Sequence, residues 1–160
     1  MRETNIGLYP GSFNPWHGGH SDILLKALSV FDRVIVVKAI NPEKKKEEQS
    51  SYNFMDCSCV ITPLMVDRKI SLNRVWFTED DRPLEHMVNQ GFEDFPHKID
   101  AIIRGLRNGN DLQYEMNQQY WNEDVGIKIP FIYFITDRKL GHVSSSSIRA
   151  VEKMGLKHNY

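Results

Sequence analysis

The feature of this sequence that most constrains its fold is a repeated alternation between short apolar runs and segments of helical period. Parallel strands joined by helices produce this pattern, because each strand is short and each crossover helix buries one apolar face. The second apolar run is β-branched through its centre, as expected of a strand covered on both faces. We therefore predict an α/β fold with a parallel sheet and helices on both faces. The predicted strands cover residues 6–9, 33–40, 75–78, 99–103 and 131–135.

The helices of this fold are predicted from apolar spacing and from residues that cap or break helices. After the first strand, apolar side chains from Ile23 to Phe31 recur at helical spacing, which places His20 near the first turn. Pro63 is expected to end or bend the second helix, and Gly155 to end the last one. The further predicted helices cover residues 54–66, 84–89, 111–122 and 144–154, and residues 41–51 are predicted to form a loop.

Length and composition limit the class of protein. A chain of 160 residues suits a single domain, here residues 1–160. Its 20 Lys and Arg against 21 Asp and Glu give a net charge of -1, so no global charge points to nucleic acid. No run approaches the ~20 apolar residues of a membrane span, and the amino terminus lacks the apolar stretch of a secretory signal. Cys57 and Cys59 are expected to be reduced thiols. We therefore expect a soluble, cytoplasmic protein that binds neither nucleic acid nor membranes.

The segment GSFNPWHGGH, which follows the first strand, combines a glycine turn, a hydroxyl and two imidazoles at the start of a helix. It contains no P-loop pattern, so we expect phosphate to be bound by imidazoles, Ser12 and the free N–H groups of the helix. Because His17 and His20 are three residues apart, both rings are expected to reach one place. Gly18 and Gly19 are expected to let a phosphate chain approach the backbone closely.

Two further segments carry groups that suit phosphate. In RGLRNGNDLQYE, Arg104 and Arg107 flank a glycine at a strand end, and guanidinium forks match phosphate oxygens. Asp111 and Glu115 follow at i, i+4 spacing on the next helix, a face that is expected to reach a ribose or to hold Arg107. In the last predicted helix, the four serines of VSSSSIRAV offer hydroxyls and free backbone N–H groups to terminal phosphates.

These motifs resemble those of the nucleotidyltransferase superfamily, which implies a Rossmann-like fold. HGGH resembles its HxGH motif, and VSSSSIR is similar to its ISSSxVR and ISSTxIR motifs. RGLRNGNDLQYE resembles the RGLRxxxDxxYE segment of bacterial phosphopantetheine adenylyltransferases. NPEKKK, after the second strand, is similar to an SPxK stretch that carries a phosphate-binding lysine, and Lys44 aligns with that lysine.

The resemblance implies an enzyme that transfers AMP from ATP to 4′-phosphopantetheine, giving dephospho-CoA and pyrophosphate. It implies ATP and a phosphorylated small-molecule acceptor as partners, Mg²⁺ bridging phosphates with no residue assigned as a metal ligand, and a homo-oligomer. The implied catalytic residues are His20, His17, Lys44 and Arg104. The implied acceptor-binding residues are Ser12, Lys44 and Arg104. The implied ATP-binding residues are Gly11, Ser12, Phe13, His20, Arg107, Glu115, Ser144, Ser145 and Ser146.

Three other functions are compatible with parts of this pattern. A nicotinamide-mononucleotide adenylyltransferase explains the first and third motifs equally well, and those enzymes carry His at the position of His17, where phosphopantetheine enzymes usually carry Thr. A cytidylyltransferase shares HxGH, but its usual RTxGISTS stretch does not occur in this sequence. From another class, a nucleotide-binding module could keep the fold without activity, although the intact histidines, Lys44 and both arginines argue against it.

Overall fold

Five parallel strands form the centre of the molecule in the computed structural model, which describes residues 4–40, 54–95, 97–157 and 159. The strands are β1 (Ile6–Gly11), β2 (Arg33–Ala39), β3 (Val75–Asp80), β4 (Ala101–Leu106) and β5 (Phe131–Ile135). They lie in the order β3-β2-β1-β4-β5, and every neighbouring pair is parallel. The predicted α/β fold with a parallel sheet is therefore confirmed.

Five α-helices connect and follow the strands. They are α1 (Gly18–Ala27), α2 (Cys57–Asp67), α3 (Leu84–Gln90), α4 (Gly109–Asp124) and α5 (Ser145–Lys153). Short 3-10 turns occur at Phe54–Asp56, Leu72–Arg74 and Arg138–Leu140. None of the helices within the described ranges is long and apolar enough to cross a membrane. Both cysteines are free thiols, as predicted.

Several predicted boundaries differ from the structure: β1 and β3 each extend two residues further than predicted, β4 covers Ala101–Leu106 instead of residues 99–103, and α4 covers Gly109–Asp124 instead of residues 111–122. The end predicted for the second helix, residue 66, is within one residue of the end of α2. α2 continues through Pro63 to Asp67, so Pro63 does not end it. The missing N–H costs one hydrogen bond, and we attribute the continuation to the burial of Ile61 and Met65 on either side. β4 begins at Ala101 rather than at residue 99, because the carboxylate of Asp100 accepts the N–H of Ile6 at 2.8 Å. The predicted loop at residues 41–51 lies outside the described residues.

The core lies on both faces of the sheet, as the alternation in β2 illustrates. Val34 and Val36 pack with α1 and α2 on one face, whereas Ile35 and Val37 pack with α3 on the other. Helices thus cover both faces, as predicted. α4 differs from the other α-helices, because the one buried side chain among its sixteen residues, that of Glu115, is charged. The packing of α4 is therefore polar. Its buried residue, Glu115, belongs to the site described below.

The strand order creates a crevice at the carboxyl ends of β1 and β4. After β1 the chain continues to β2 on one side, and after β3 it crosses to β4 on the other side. Open parallel sheets bind ligands at such a reversal of strand order, outside the carboxyl ends of the strands. The loop after β1 and the segment after β4 carry the unusual motifs of the sequence, and both begin at this crevice.

Candidate active site

A cavity of about 450 Å³ opens at this crevice. Its lining combines the end of β1, the start of α1, the end of β4, the first turns of α4 and the start of α5. The lining side chains and backbone belong to Tyr9, Pro10, Gly11, Ser12, Phe13, His17, Gly19, His20, Ile23, Arg104, Gly105, Arg107, Asp111, Tyr114, Glu115, Thr136, Val143, Ser144 and Ser145. Three motifs that are distant in sequence therefore meet at one place.

The amino terminus of α1 fixes the two imidazoles of the cavity. His17 is the N-cap, and its Nδ1 accepts the N–H of Gly19 at 3.1 Å. His20 reaches back, so that its Nδ1 accepts the N–H of His17 at 3.3 Å. The two rings stack with centroids 3.7 Å apart. Because each Nδ1 is an acceptor, each neutral ring carries its proton on Nε2, and two Nε2–H donors are available.

Burial keeps both imidazoles uncharged at neutral pH. Desolvation, with a smaller contribution from the charge of Arg107, lowers the pKa of His17 to about 4. The pKa of His20 is also well below its ordinary value, because of burial first and then the proximity of His17 and Arg107. Neutral imidazoles cannot attract an anion by net charge, but they donate hydrogen bonds without losing a proton.

Arg104, at the end of β4, is held by a carboxylate from the second turn of α4. Its Nε and Nη2 donate to the two oxygens of Glu115 at 2.6 and 2.7 Å, and its Nη1 donates to the carbonyl of Pro10 at 3.0 Å. Burial opposes the charge of the guanidinium, but the hydrogen bonds to Glu115, the charge of Glu115 and smaller contributions from Tyr9 and Tyr114 together outweigh it and raise the pKa of Arg104. A permanent positive charge is therefore fixed beside the loop that follows β1.

Arg107 has its own carboxylate in the first turn of α4. Its Nε and Nη2 donate to Asp111 at 2.9 and 2.8 Å, and its backbone N–H donates to the same carboxylate at 2.9 Å. The prediction that this helix face holds Arg107 is thus correct for Asp111. Glu115, which the sequence grouped with Asp111, holds Arg104 instead. Each arginine is oriented by a different carboxylate one helical turn apart.

α5 ties the loop after β1 to the far end of the chain. The hydroxyl of Ser145 donates to the carbonyl of Pro15 at 3.0 Å, and Nη1 of Arg149 donates to the carbonyl of Asn14. Ser144 caps α5, since its hydroxyl accepts the N–H of Ser147 at 3.1 Å. The start of α5 and the start of α1 therefore border the same cavity, and each offers helix N–H groups.

A cluster of aromatic rings packs against the imidazole of His20. Phe13 is 3% exposed and has a φ of 44°, a left-handed conformation that is uncommon for a bulky residue. Its ring packs edge-on against His20 at 4.9 Å and stacks on Phe54 at 5.6 Å. Trp16 also contacts the ring of His20, at 5.3 Å, and donates its Nε1–H to Ser21 at 2.8 Å. These rings fix the position of His20.

The glycines of HGGH have a structural role that the sequence did not indicate. A Cβ on Gly19 would lie 2.9 Å from Cε1 of His17, so the absence of a side chain makes room for the imidazole. A Cβ on Gly18 would lie 3.3 Å from the side chain of Leu140. The expected close approach of phosphate to these glycines stays a prediction.

The structure brings most of the predicted residues together, although their roles in binding stay predictions. Ser146 is exposed, does not line the cavity, and accepts a hydrogen bond from Arg149. Lys44 lies outside the described residues. The predicted residues that line the cavity are Gly11, Ser12, Phe13, His17, His20, Arg104, Arg107, Glu115, Ser144 and Ser145.

Several lining residues were not predicted. Tyr9 and Thr136 are buried and follow from topology, because Tyr9 lies two residues before the carboxyl end of β1 and Thr136 directly follows β5. Ile23 contacts the cavity from the second turn of α1. Tyr114 belongs to the motif after β4 but was given no role. The order of the strands in the sheet would have identified Tyr9 and Thr136. Ile23 was not identified because its apolar spacing is typical of a core residue.

Comparison with known proteins gives three findings. Residues 8–151 match the model of the family described as Cytidylyltransferase-like. A phosphopantetheine adenylyltransferase of Clostridium novyi (strain NT) is 31% identical over 156 residues, which cover 94% of this chain and 84% of that protein. A phosphopantetheine adenylyltransferase of Streptococcus pyogenes serotype M5 (strain Manfredo) is 32% identical over 146 residues, covering 91% and 82%. The solved structure of Plasmodium falciparum nicotinic acid mononucleotide adenylyltransferase complexed with NaAD superposes with a TM-score of 0.59 at 16% identity, covering 92% of this chain and 83% of that one.

Proposed function

The chain belongs to the cytidylyltransferase-like family, and from this premise we propose that it transfers the AMP unit of ATP to 4′-phosphopantetheine, giving dephospho-CoA and pyrophosphate. The resemblance seen in the three motifs is confirmed by relatives that are named phosphopantetheine adenylyltransferases and match over nine-tenths of the chain. One observation carries the reaction type. Two stacked, uncharged imidazoles lie in the same cavity as two arginines, each arginine oriented by its own carboxylate.

The bond changes in this reaction require little proton transfer. An oxygen of the acceptor's phosphate attacks the α-phosphorus of ATP and forms a new P–O bond. The bond between the α-phosphorus and the oxygen that bridges to the β-phosphate breaks, and its electron pair leaves with pyrophosphate. The attacking phosphate is an anion at neutral pH, so no side chain has to act as a general base. Positioning and charge stabilisation then determine the rate.

His20 and His17 supply the hydrogen bonds to the α-phosphate in this proposal. Their Nε2–H groups donate to oxygens on which negative charge builds in the transition state. Neutral imidazoles suit this task because they remain donors over the whole range in which phosphate is ionised. The support of His20 by Phe13 and Trp16 holds the donor in place before the substrate binds.

The arginines and serines bind the other phosphates of the nucleotide and the phosphate of the acceptor in this proposal. Arg107, Ser144 and Ser145 bind the nucleotide at the start of α5, where helix N–H groups favour anions. Arg104, Ser12 and Lys44 orient the phosphate of the acceptor. Among the described residues, Arg104 uses three of its five N–H donors on Glu115 and Pro10. The remaining two are directed to the acceptor in this proposal.

Mg²⁺ would be brought to the cavity by the triphosphate, and when bound it would supply positive charge that offsets the charge developing on the phosphates. The carboxylates of the cavity, Asp111 and Glu115, each hold an arginine. No group of three His, Cys, Asp or Glu suited to a metal occurs among the residues that the structure describes. This donor set fits Mg²⁺ bound by phosphates and water, which is its usual coordination at nucleotide sites.

Pyrophosphate release with each acceptor in turn tests the proposal. The protein is incubated with ATP, Mg²⁺ and either 4′-phosphopantetheine or nicotinamide mononucleotide, and the adenylylated product is identified by mass. We expect release with 4′-phosphopantetheine. Release with nicotinamide mononucleotide alone would overturn the acceptor, and no release with any acceptor would indicate a binding module.

A further inference from the structure

The carboxyl ends of β2 and β3 carry an ion pair that the proposed reaction does not use. Nζ of Lys38 lies 3.0 Å from Oε1 of Glu79. The sheet register aligns Gly11 with Lys38 and Lys38 with Glu79, so the three residues form one row across β1, β2 and β3. Adjacent strands lie about 4.8 Å apart. Because Gly11 lines the cavity, the pair lies on the same edge of the sheet, one and two strands away.

Both side chains of this pair extend from the face of the sheet that α1 covers. Val36 and Phe77, two residues earlier in their strands, belong to the core on the α1 face. Side chains alternate along a strand, so Lys38 and Glu79 share that face. A direct contact agrees with this assignment, since Nζ of Lys38 lies 5.9 Å from the ring centroid of Phe54.

In-line attack directs the acceptor toward this pair. The proposed function places the leaving pyrophosphate beside Arg107, Ser144 and Ser145, on the β4 and α5 side of the cavity. The attacking oxygen must approach the α-phosphorus from roughly the opposite direction. That direction leads across β1 to β2 and β3. The part of the acceptor beyond its phosphate therefore extends toward Lys38 and Glu79.

The Lys38 ammonium lies outside the lining of the cavity that holds the imidazoles and both arginines, and contacts through two aromatic rings connect it with His20. The attacking phosphate has to come within about 3.5 Å of the α-phosphorus, beside His20. The ring of Phe13 packs against His20, and Phe54 stacks on Phe13 on the way to Lys38. Lys38 is therefore placed to contact the body of the acceptor and not its phosphate.

We propose that Lys38 and Glu79 form a specificity-determining pair that hydrogen-bonds the polar body of the acceptor, an inference that rests on the proposed function. The ammonium donates to a carbonyl oxygen, and the carboxylate accepts from a hydroxyl or amide N–H. The side chains remain accessible, at 19% and 41% exposure, while each holds the other in place. The fitting acceptor carries hydroxyl and amide groups next to its phosphate, as 4′-phosphopantetheine does.

Lys38→Met, Glu79→Gln and a matched control variant test this pair. We expect Lys38→Met to raise the KM for 4′-phosphopantetheine about tenfold, the loss expected for a hydrogen bond to a charged group, and to leave the KM for ATP unchanged. Glu79→Gln keeps the shape and should raise the same KM less. Arg82→Met breaks the Arg82–Asp80 pair at the end of the same strand and should leave both KM values unchanged.

Inhibition by pantetheine, which lacks the phosphate, tests which part of the acceptor Lys38 contacts. As a competitive inhibitor against 4′-phosphopantetheine, its Ki should rise in Lys38→Met by the same factor as the KM. An unchanged Ki would place Lys38 on the phosphate and overturn the inference, and so would equal KM values in Lys38→Met and the parent protein. Failure of the proposed function gives a different result, because the parent protein then releases no pyrophosphate. The Kd of 4′-phosphopantetheine is then compared by calorimetry, and equal values for Lys38→Met and the parent protein overturn the pair's role.

Discussion

Arg104 and Glu115 face each other across the junction of β4 and α4, with both oxygens of the carboxylate within 2.7 Å of guanidinium nitrogens. The side chains are 26% and 11% exposed, so water screens this pair little. The pair fixes the cavity's buried cation and also fastens α4, whose other side chains are at most half-buried. One interaction thus serves both the site and the stability of the helix that borders it.

Glu115→Gln is predicted to destabilise the protein by about 3 kcal/mol, because it leaves a buried guanidinium without a counter-charge. Asp111→Asn is the matched control, since its pair with Arg107 is 37% and 20% exposed and should lose less than about 1 kcal/mol. Urea unfolding at pH 7 measures both values. Equal losses for the two variants would contradict the special position of Glu115.

His20→Ala is predicted to lower kcat about a hundredfold or more, because its Nε2–H donor acts mainly in the transition state. The Kd for ATP should change by a much smaller factor. Steady-state kinetics and calorimetry give the two quantities. His86→Ala, on α3 and away from the cavity, is the control. A loss of the same size in kcat and in ATP affinity would contradict this prediction, and a loss of affinity with kcat unchanged would show that His20 only binds the nucleotide.

The stability of the fold is predicted to fall as the pH decreases from about 6.5 to about 4. Burial lowers the pKa of His17 to about 4, so over this range the unfolded chain takes up a proton that the folded protein excludes. The contribution is fully present above about pH 6.5 and is lost as the pH falls to the folded pKa. Its size is about 3 kcal/mol for a pKa difference of this extent.

His17→Asn isolates this effect, because Asn is a good N-cap and does not titrate. The free energy of unfolding of this variant should depend less on pH between 6.5 and 4 than that of the parent protein. Nitrogen NMR of the His17 imidazole provides a second measurement. The ring should remain the Nε2–H tautomer at pH 6, and a protonated ring at that pH would contradict the prediction.

Gly19→Ala is predicted to lower kcat about tenfold or more without unfolding the protein. The new Cβ would lie 2.9 Å from Cε1 of His17, and the displaced imidazole loses its aligned position. Gly109→Ala is the control, because a Cβ there meets nothing within 4 Å. The control should retain activity and gain about 0.5–1 kcal/mol in stability. Unchanged kinetics in Gly19→Ala would show that the position of His17 is unimportant.

The strands were predictable because buried strands consist of short runs of apolar and β-branched residues, which are visible in the sequence. The β-branched centre of β2 gives every side chain a buried face, and its boundaries differ from the prediction by one residue. The end of α2 was predicted to within one residue, although Pro63 does not end the helix, since burial of neighbouring side chains overrides a local breaker. Residue spacing thus identifies elements well and identifies their ends poorly.

The site was predictable where its contacts are local and unpredictable where they are not. Asp111 lies four residues after Arg107, so their pairing follows from helix geometry. Glu115 lies eleven residues from Arg104, and their pairing depends on how α4 docks on β4. The hydrogen bond that the hydroxyl of Tyr133 in β5 donates to the side chain of Gln119 depends on the same docking, and it was not predicted.

The bonds between α5 and the loop after β1 set an order for the biosynthesis of this site. The loop that carries both imidazoles is synthesised before α5, which holds it. Ser145 lies 130 residues after its partner Pro15, and Arg149 lies 135 residues after its partner Asn14. A nascent chain therefore carries the loop after β1 without its anchor until α5 has been synthesised. Contacts of such sequence separation form late, because a long loop must close first. The loop after β1 should consequently reach its final conformation only after α5 has docked.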